Sequence, residues 1–261
     1  MAVHCKQLNE SGILIAGGTS GVGLASAIAL ARAGVKGLVL LGRNQSRGET
    51  ALAAVEREAP GVAVRFVSAD VGDPVVATDA AQEAKEFLGT IDVLVNSTAT
   101  SYKPDLLLRT DLADIEKILT RQILPPMYLT RIVLPWMRDQ KSGSIINMAS
   151  DAAKTATPGE TIVGAAMAAI VMFSRTAAIE AKRDGVRVNV LTPSLIAGTP
   201  TAELVTKDGF SAKLFEKAAA MAHLGVAEPE DLAELVLFLS GPGSRRLTGQ
   251  AISVNGGISA A

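Results

Sequence analysis

The stretch Gly17-Gly18-Thr19-Ser20-Gly21-Val22-Gly23 decides the fold of this chain. It directly follows the apolar run Gly12–Ala16 and opens the Ala- and Leu-rich segment Gly21–Ala33, which has helical character. Glycines let the backbone turn sharply and pass close to a phosphate, while the start of a helix offers unpaired N–H groups and a positive dipole end. This order of strand, glycine loop and helix predicts a site for a dinucleotide phosphate rather than an ordinary tight turn.

The rest of the chain repeats this alternation of strand and helix. Apolar runs of strand length predict strands at Gly12–Ala16, Gly37–Leu41, Val62–Val67, Ile91–Val95, Ser144–Met148, Val186–Leu191 and Ala251–Val254. Longer patterns predict helices at Gly21–Ala33, Arg47–Glu58, Pro74–Leu88, about Leu112 to Arg138, Gly159–Lys182 and Pro229–Leu239. Such alternation implies βαβ units and a parallel sheet. We therefore expect one domain over residues 1–261: a doubly wound, Rossmann-type α/β sheet of about seven strands with helices on both faces.

Two segments depart from regular patterns. Pro125 and Pro126 lie inside the long helical stretch, where we expect them to kink the helix. Pro200–Ala222 mixes helical and loop character and is predicted to form a mobile lid. Its apolar side chains suit an apolar substrate, but they could equally anchor the lid to the core.

Composition excludes several classes of function. The chain has 25 basic and 26 acidic residues, so no overall charge favours a nucleic acid or an anionic membrane surface as partner. Its only cysteine is Cys5, which cannot form an internal disulfide and makes the reducing cytoplasm the expected location. We find neither a signal sequence nor an apolar run of the ~20 residues that a membrane span needs. No metal site is predicted.

The end of the second predicted strand selects the cofactor. NAD-selective sites place an acidic residue there to bind the ribose 2′-hydroxyl. This chain has Gly42 and Arg43 instead, and the guanidinium can pair with a 2′-phosphate. NADP(H) is therefore favoured over NAD(H), although Arg43 could also be a solvated arginine at a strand end. Asp70, after the third strand, could accept a hydrogen bond from the adenine amino group or cap a turn.

Together with Thr248-Gly249-Gln250 and Asn255-Gly256-Gly257, these features resemble the short-chain dehydrogenase/reductase family from about Gly12 to Gly257. The family's T-G-x-x-x-G-x-G motif stands here with Ala16 in place of the threonine. The resemblance implies adenine contacts from Asp70 and Val71 and a contact from Asn96, in the family's N-N-A-G position. It also implies contacts to the nicotinamide end near Pro193 and Ile196, although Ser194 replaces the usual glycine.

The resemblance fails at the family's catalytic Asn, Ser, Tyr and Lys. Ser150 stands at the serine position, and Gln122 falls at the asparagine position. The Y-x-x-x-K motif on the next helix is absent, because Val163 and Met167 occupy the tyrosine and lysine positions. Losing a positioned general acid typically costs about 10²–10⁴ in rate.

Three hypotheses follow from this loss. The chain could remain a reductase whose proton comes from water, from the substrate or from Ser150, Tyr102, Lys154 or His223. Among these, Tyr102 follows the fourth strand at the edge where such sheets bind ligands, whereas Lys154 reads more simply as a solvated loop lysine. The fold could instead run an isomerisation, dehydration or cyclisation. It could also be a pseudoenzyme that binds a dinucleotide or serves as a structural subunit.

Two of the predicted helices are apolar enough to indicate contacts between subunits. The long helix and the segment Ala165–Phe173 are rich in small and branched apolar side chains. In the family these helices pack across a two-fold axis, so the resemblance implies a homodimer or homotetramer. The substrate is expected to be a small molecule, which the sequence does not identify.

Overall fold

A computed structural model describes residues 5–260 of the chain. Seven parallel strands form one sheet in the order β3-β2-β1-β4-β5-β6-β7. The strands are β1 (Gly12–Ala16), β2 (Gly37–Gly42), β3 (Val64–Ser68), β4 (Val93–Asn96), β5 (Gly143–Met148), β6 (Val186–Leu191) and β7 (Ala251–Ile252). The predicted doubly wound α/β fold is thereby confirmed. The third strand lies slightly later than predicted, and the last is shorter.

Eight α-helices connect and cover the strands within the described residues. They are α1 (Gly21–Arg32), α2 (Gln45–Glu58), α3 (Pro74–Leu88), α4 (Leu112–Gln140), α5 (Thr161–Ala181), α6 (Pro200–Thr206), α7 (Gly209–Met221) and α8 (Pro229–Ser240). Short 3-10 turns occur at Leu8–Glu10, Leu107–Arg109, Asp151–Ala153, Lys182–Asp184 and Pro242–Ser244. Polar side chains begin several helices: Asn44, Asp73 and Asp111 each accept a hydrogen bond from a backbone N–H of the first turn.

Each face of the sheet has its own apolar core. Alternate residues along a strand point to opposite faces. Leu14 and Val39 accordingly pack with α3, α4 and α5, whereas Ile13 and Leu38 pack with α1, α2 and α8. Because both faces are covered, the inner strands are buried throughout, which explains their nearly continuous apolar sequence.

The helix α4 spans Leu112–Gln140, close to the predicted stretch, and Pro125, Pro126 and Pro135 lie inside it. The kink expected at Pro125 and Pro126 stays a prediction. Pro200–Ala222 contains two distinct helices, α6 and α7, where we expected a mixed lid. An ion pair between Lys103 and Asp208 ties the junction of these helices to the loop after β4.

One helix meets the length and composition of a membrane span, contrary to our expectation from the sequence. It is Thr161–Asp184, comprising α5 and the following turn, with a mean hydropathy of 1.8. However, Val163, Ile170 and Ala178 from along its length are buried against the rest of the fold, and it packs against α4 and β6. These contacts identify α5 as a core helix of the α/β domain.

Candidate active site

The carboxyl ends of the parallel strands meet at one edge of the sheet. The strand order runs outwards in opposite directions from β1 and β4, which leaves a crevice beyond their ends. Open α/β sheets bind ligands in such a crevice. The glycine loop follows β1, Arg43 follows β2, and Ser150 follows β5, so the fold brings the separately predicted halves of the site to the same edge.

At two positions of the glycine loop, Gly17 and Gly23, the backbone leaves no room for any residue other than glycine. Gly17 adopts a φ of 76°, which L-residues with a side chain rarely adopt. A Cβ built on Gly23 would lie 2.2 Å from the carbonyl oxygen of Gly17, so the first turn of α1 packs directly on the loop. The Ser20 side chain does not cap α1. The N–H groups at the start of this helix can therefore face a phosphate, and the loop fits a dinucleotide.

Arg43 stands beside this loop and is exposed. Thr19 packs against Gly42 so closely that a Cβ on that glycine would lie 2.8 Å from the Thr19 Cγ2 atom, which places the loop next to the end of β2. Among residues 5–260, no hydrogen bond or ion pair to the Arg43 guanidinium is found. The position and the available charge fit a 2′-phosphate on an adenosine ribose.

Two side chains predicted to contact the cofactor, Asp70 and Asn96, have partners within the protein. Asp70 accepts a hydrogen bond from the Gly72 N–H at 3.1 Å, in a turn just after β3, and its second carboxylate oxygen lies 4.0 Å from Arg121. Asn96 is 2% exposed, and its amide donates to Asn147 at 2.8 Å. The Asn96 side chain therefore joins β4 to β5, while its Oδ1 atom has no hydrogen-bond partner among the described residues.

The loop after β6 is fixed by backbone bonds. The Pro193 carbonyl accepts from the Asp151 N–H at 2.7 Å, which joins this loop to the turn after β5. Ile196 pairs with Ala227, and its carbonyl accepts from the Thr199 hydroxyl at 2.9 Å. The loop expected to meet the nicotinamide is therefore held next to Ser150.

Ser150 is half-buried directly after β5. Its hydroxyl oxygen accepts from the Ala152 N–H at 3.2 Å, and no acceptor for the hydroxyl hydrogen is found in the described part of the chain. That hydrogen can therefore be donated to a ligand oxygen.

The residues around Ser150 are apolar at the positions predicted to correspond to the family's tyrosine and lysine. Val163 and Met167, 9% and 8% exposed, form one cluster with Ala149 and Ile118. Tyr102 packs against this cluster, as expected for a side chain from the loop after β4. Gln122, on α4, is also buried.

Lys154 and His223 were the two remaining candidates for the proton donor. Lys154 is not a solvated loop lysine, because its Nζ donates to the Ser253 hydroxyl at 2.6 Å after β7. Burial lowers the pKa of Lys154, and the positive charge of Arg175 lowers it further, while the negative charge of Asp151 opposes both. His223 is exposed just after α7. No group of three or more His, Cys, Asp or Glu side chains that could hold a metal ion occurs in residues 5–260.

A pair of carboxyl groups flanking the turn after Ser150 was missed from the sequence. Asp151 is 5% exposed and accepts from the Ser259 hydroxyl at 2.6 Å and from the Asn255 amide at 3.5 Å. Glu160 precedes α5 and is partly buried. Burial, reinforced by the negative charge of Asp151, raises the pKa of Glu160 to about 7. Asp151 and Glu160 match no motif, and the partners of Asp151 are more than 100 residues away, so no local pattern indicated them.

The strand order, the glycine loop and the position of Ser150 define a dinucleotide-binding oxidoreductase fold. A family model described as enoyl-(acyl carrier protein) reductase matches residues 16–259. The chain belongs to the short-chain dehydrogenase/reductase family.

Individual relatives are similar over nearly the whole chain. A 3-oxoacyl-[acyl-carrier-protein] reductase from Synechocystis is 31% identical, covering 94% of this chain and 95% of its own length. Carbonyl reductase family member 4 from Xenopus laevis is 33% identical, covering 93% of this chain and 95% of its own. The crystal structure of levodione reductase superposes with a TM-score of 0.89 at 26% identity, covering 95% of this chain and 97% of that one.

Proposed function

We propose that this protein is an NADP(H)-dependent oxidoreductase that interconverts a small carbonyl compound and its alcohol without the family's tyrosine and lysine. The main support for this proposal is the exposed Arg43 guanidinium, which lies beside the glycine loop at the end of β2. This arrangement presents backbone N–H groups to a pyrophosphate and a separate positive charge to a 2′-phosphate. Bound NADP(H) would supply or accept the hydride.

The protein's own residues would bind and polarise the substrate. The Ser150 hydroxyl would donate a hydrogen bond to the carbonyl oxygen and stabilise the negative charge that develops there. Val163 and Met167 offer neither a proton nor a charge, so they would form an apolar wall beside the reacting group. The proton must come from another group near Ser150. Tyr102 packs against the same wall and is one candidate.

The relatives support a carbonyl substrate. Their names include a 3-oxoacyl-[acyl-carrier-protein] reductase and a carbonyl reductase, which act on carbonyl groups. The closed apolar cluster around Val163 favours a substrate with an apolar part next to the carbonyl. We propose a substrate of this class.

We also propose a homodimer or homotetramer that assembles through α5. Met172 and Ile179 are 59% and 60% exposed on this helix, and burial against a second copy would remove them from water. Cys5 cannot form an internal disulfide, so we retain the cytoplasm as the proposed location.

A binding protein without turnover is the second candidate. The observation that favours it is the apolar, buried state of Val163 and Met167, which removes the usual proton donor while leaving the glycine loop intact. Such a protein would bind NADPH and leave it unoxidised in the presence of carbonyl compounds. The non-redox catalyst has no comparable support, because the cofactor loop has kept its geometry.

The test combines turnover with cofactor choice. We expect the wild-type protein to oxidise NADPH in the presence of ethyl acetoacetate, a 3-oxo ester. Arg43→Ala should weaken NADPH binding by about 10- to 100-fold, since a hydrogen bond to a charged group contributes about 1.5–3 kcal/mol. NADH binding should barely change, because NADH has no 2′-phosphate.

Arg131→Ala, which removes an exposed arginine from α4, is the matched control and should leave both affinities unchanged. Affinities are measured by calorimetry and turnover by nicotinamide absorbance. An equal loss of NADPH and NADH affinity in Arg43→Ala would contradict the assignment of the 2′-phosphate. Tight NADPH binding without any oxidation would favour the binding protein.

A further inference from the structure

One face of α5 borders the turn that carries Ser150. Glu160, Val163, Gly164 and Met167 are spaced by three or four residues and therefore follow one side of the helix. Gly164 lies against the turn, because a Cβ built on it would lie 2.9 Å from the carbonyl oxygen of Ala152. Val163 shares an apolar cluster with Ala149, the residue before Ser150.

Glu160 extends this face by one turn towards the start of the helix. Its carbonyl accepts from the Gly164 N–H, which fixes its backbone against the first turn of α5. Glu160 therefore precedes Val163 and Gly164 by one turn, on the side of α5 that packs on the turn formed by Asp151–Ala153.

We propose that Glu160 is the proton donor that replaces the family's tyrosine during carbonyl reduction. This inference rests on the proposed reductase function. Among the titratable side chains near Ser150, Glu160 stands on the same face of α5 as the positions that lost their acid and base.

The carboxyl groups of Asp151 and Glu160 lie in different environments. Asp151 accepts hydrogen bonds from the Ser259 hydroxyl and the Asn255 amide, which suit a carboxylate. No hydrogen bond to the Glu160 carboxyl is found within the described residues, and its side chain does not cap α5. Burial and the charge of Asp151 raise its pKa to about 7, so that it holds a proton near neutral pH. When two carboxyl groups in a site have different pKa values, one often stays ionised and stabilises charge while the other acts as the acid.

Charged side chains other than Asp151 do not change the direction of the pKa shift of Glu160. Among the charged side chains of the described residues, only Asp151 shifts the pKa of Glu160. Lys154, in the connecting loop, donates to Ser253 on the side of β7. On the other side, Phe210 of α7 packs against Gly159. The lysines of α7, Lys213 and Lys217, do not contribute to the pKa of Glu160.

The step balances as a two-electron reduction. The carbonyl carbon gains the hydride that NADPH provides, and the electrons of the C=O π bond move to oxygen. That oxygen takes the proton from Glu160 while Ser150 donates a hydrogen bond to it. Glu160 is left as a carboxylate, the product is an alcohol, and the cofactor is oxidised. Glu160 regains a proton from solvent, which its partial exposure permits.

The test compares Glu160→Gln with Glu180→Gln, which makes the same change at an exposed position of the same helix. Oxidation of NADPH with ethyl acetoacetate is measured from pH 5 to 9, a range that spans the titration of a group with a neutral pKa. The wild-type rate should fall as pH rises through about 7, because the acid form of Glu160 is lost. Glu160→Gln should lower kcat by about 10²- to 10⁴-fold and abolish this pH dependence. Glu180→Gln should match the wild type.

A second measurement needs no turnover. Infrared spectroscopy of the wild-type protein should show the C=O stretch of a protonated carboxyl that disappears as pH rises through about 7. Glu160→Gln should lack this band. Asp151→Asn should move its midpoint to lower pH, since the negative charge that helps to raise the pKa is gone.

The possible failures can be told apart. A wild-type rate and pH profile in Glu160→Gln would overturn the donor role while leaving the proposed function intact. Absence of the titrating infrared band would overturn it as well. A wild-type protein that binds NADPH but never oxidises it would overturn both the proposed function and the role of Glu160. Thermal unfolding and NADPH affinity, unchanged in Glu160→Gln, exclude misfolding as the cause of lost activity.

Discussion

Among single residues, Ser150 lies near apolar side chains at the predicted positions of the family's tyrosine and lysine. Ser150 keeps a hydroxyl hydrogen available, whereas Val163 and Met167 are buried in a cluster whose buried members are all apolar, with Tyr102 packed against it. General acids typically contribute about 10²–10⁴ in rate. The chain can therefore reduce a carbonyl efficiently only if a nearby group such as Glu160 takes over.

Restoring the family's side chains tests this account. We expect Val163→Tyr combined with Met167→Lys to raise kcat for ethyl acetoacetate by about 10²-fold, because a second positioned acid becomes available. The rate should also lose its dependence on the titration of Glu160. Overpacking at the buried Val163 should cost about 1–3 kcal/mol of stability. Stopped-flow absorbance and chemical denaturation measure the two effects.

The matched control is Val163→Phe with Met167→Lys, which adds the same bulk and charge without the hydroxyl. This control should show the stability cost without the gain in rate. If the tyrosine and lysine variant folds, binds NADPH and gains nothing over the control, the missing acid is not what separates this chain from its relatives.

At the scale of elements, the glycine loop and the start of α1 form one packed unit. The backbone of Gly17 approaches Ser97 so closely that a Cβ would lie 2.4 Å from the Ser97 carbonyl oxygen. The loop thus packs between β1 and the loop after β4. The loop can take this shape because its glycines have no side chains, and the proposed phosphate binding depends on the same shape.

Gly23→Ala should therefore disrupt both packing and binding. The new Cβ would meet the Gly17 carbonyl oxygen at 2.2 Å, and we expect a loss of about 3 kcal/mol in unfolding free energy. NADPH affinity should fall sharply. Gly34→Ala is the control, since a Cβ there meets no atom within 4 Å and only the positive φ of 77° is strained.

Gly34→Ala should cost about 1 kcal/mol and retain NADPH binding. Urea denaturation and calorimetry give the two quantities. Equal NADPH affinity in Gly23→Ala and wild type would show that the loop does not hold the cofactor.

At the scale of the whole molecule, the apolar periodicity and the glycine loop were enough to predict the fold. Strand–helix alternation is a local pattern, so all seven strands could be placed from sequence, within a few residues at their ends. The long helix α4 was also predicted from its pattern, although Pro125 and Pro126 lie inside it. The two helices within Pro200–Ala222 were not predicted, because the composition of this segment is mixed.

The residues proposed to hold the cofactor could be named from the sequence, whereas Glu160 could not. The glycines and Arg43 are proposed to act through local backbone and charge, which the sequence displays. The environment of Glu160 depends on Asp151, which is in turn bound to Ser259 near the other end of the chain. Contacts over such separations exist only after the sheet has formed and the C-terminal segment has packed beside Ser150.

The most direct test of the central claim is a calorimetric titration of the wild-type protein with NADPH and, separately, with NADH. We propose that the chain keeps a dinucleotide site selective for the 2′-phosphate without the family's acid and base. NADPH should therefore bind about 10- to 100-fold more tightly than NADH. Equal affinities would contradict the role of Arg43, and binding of neither would mean that the glycine loop is retained for its fold alone.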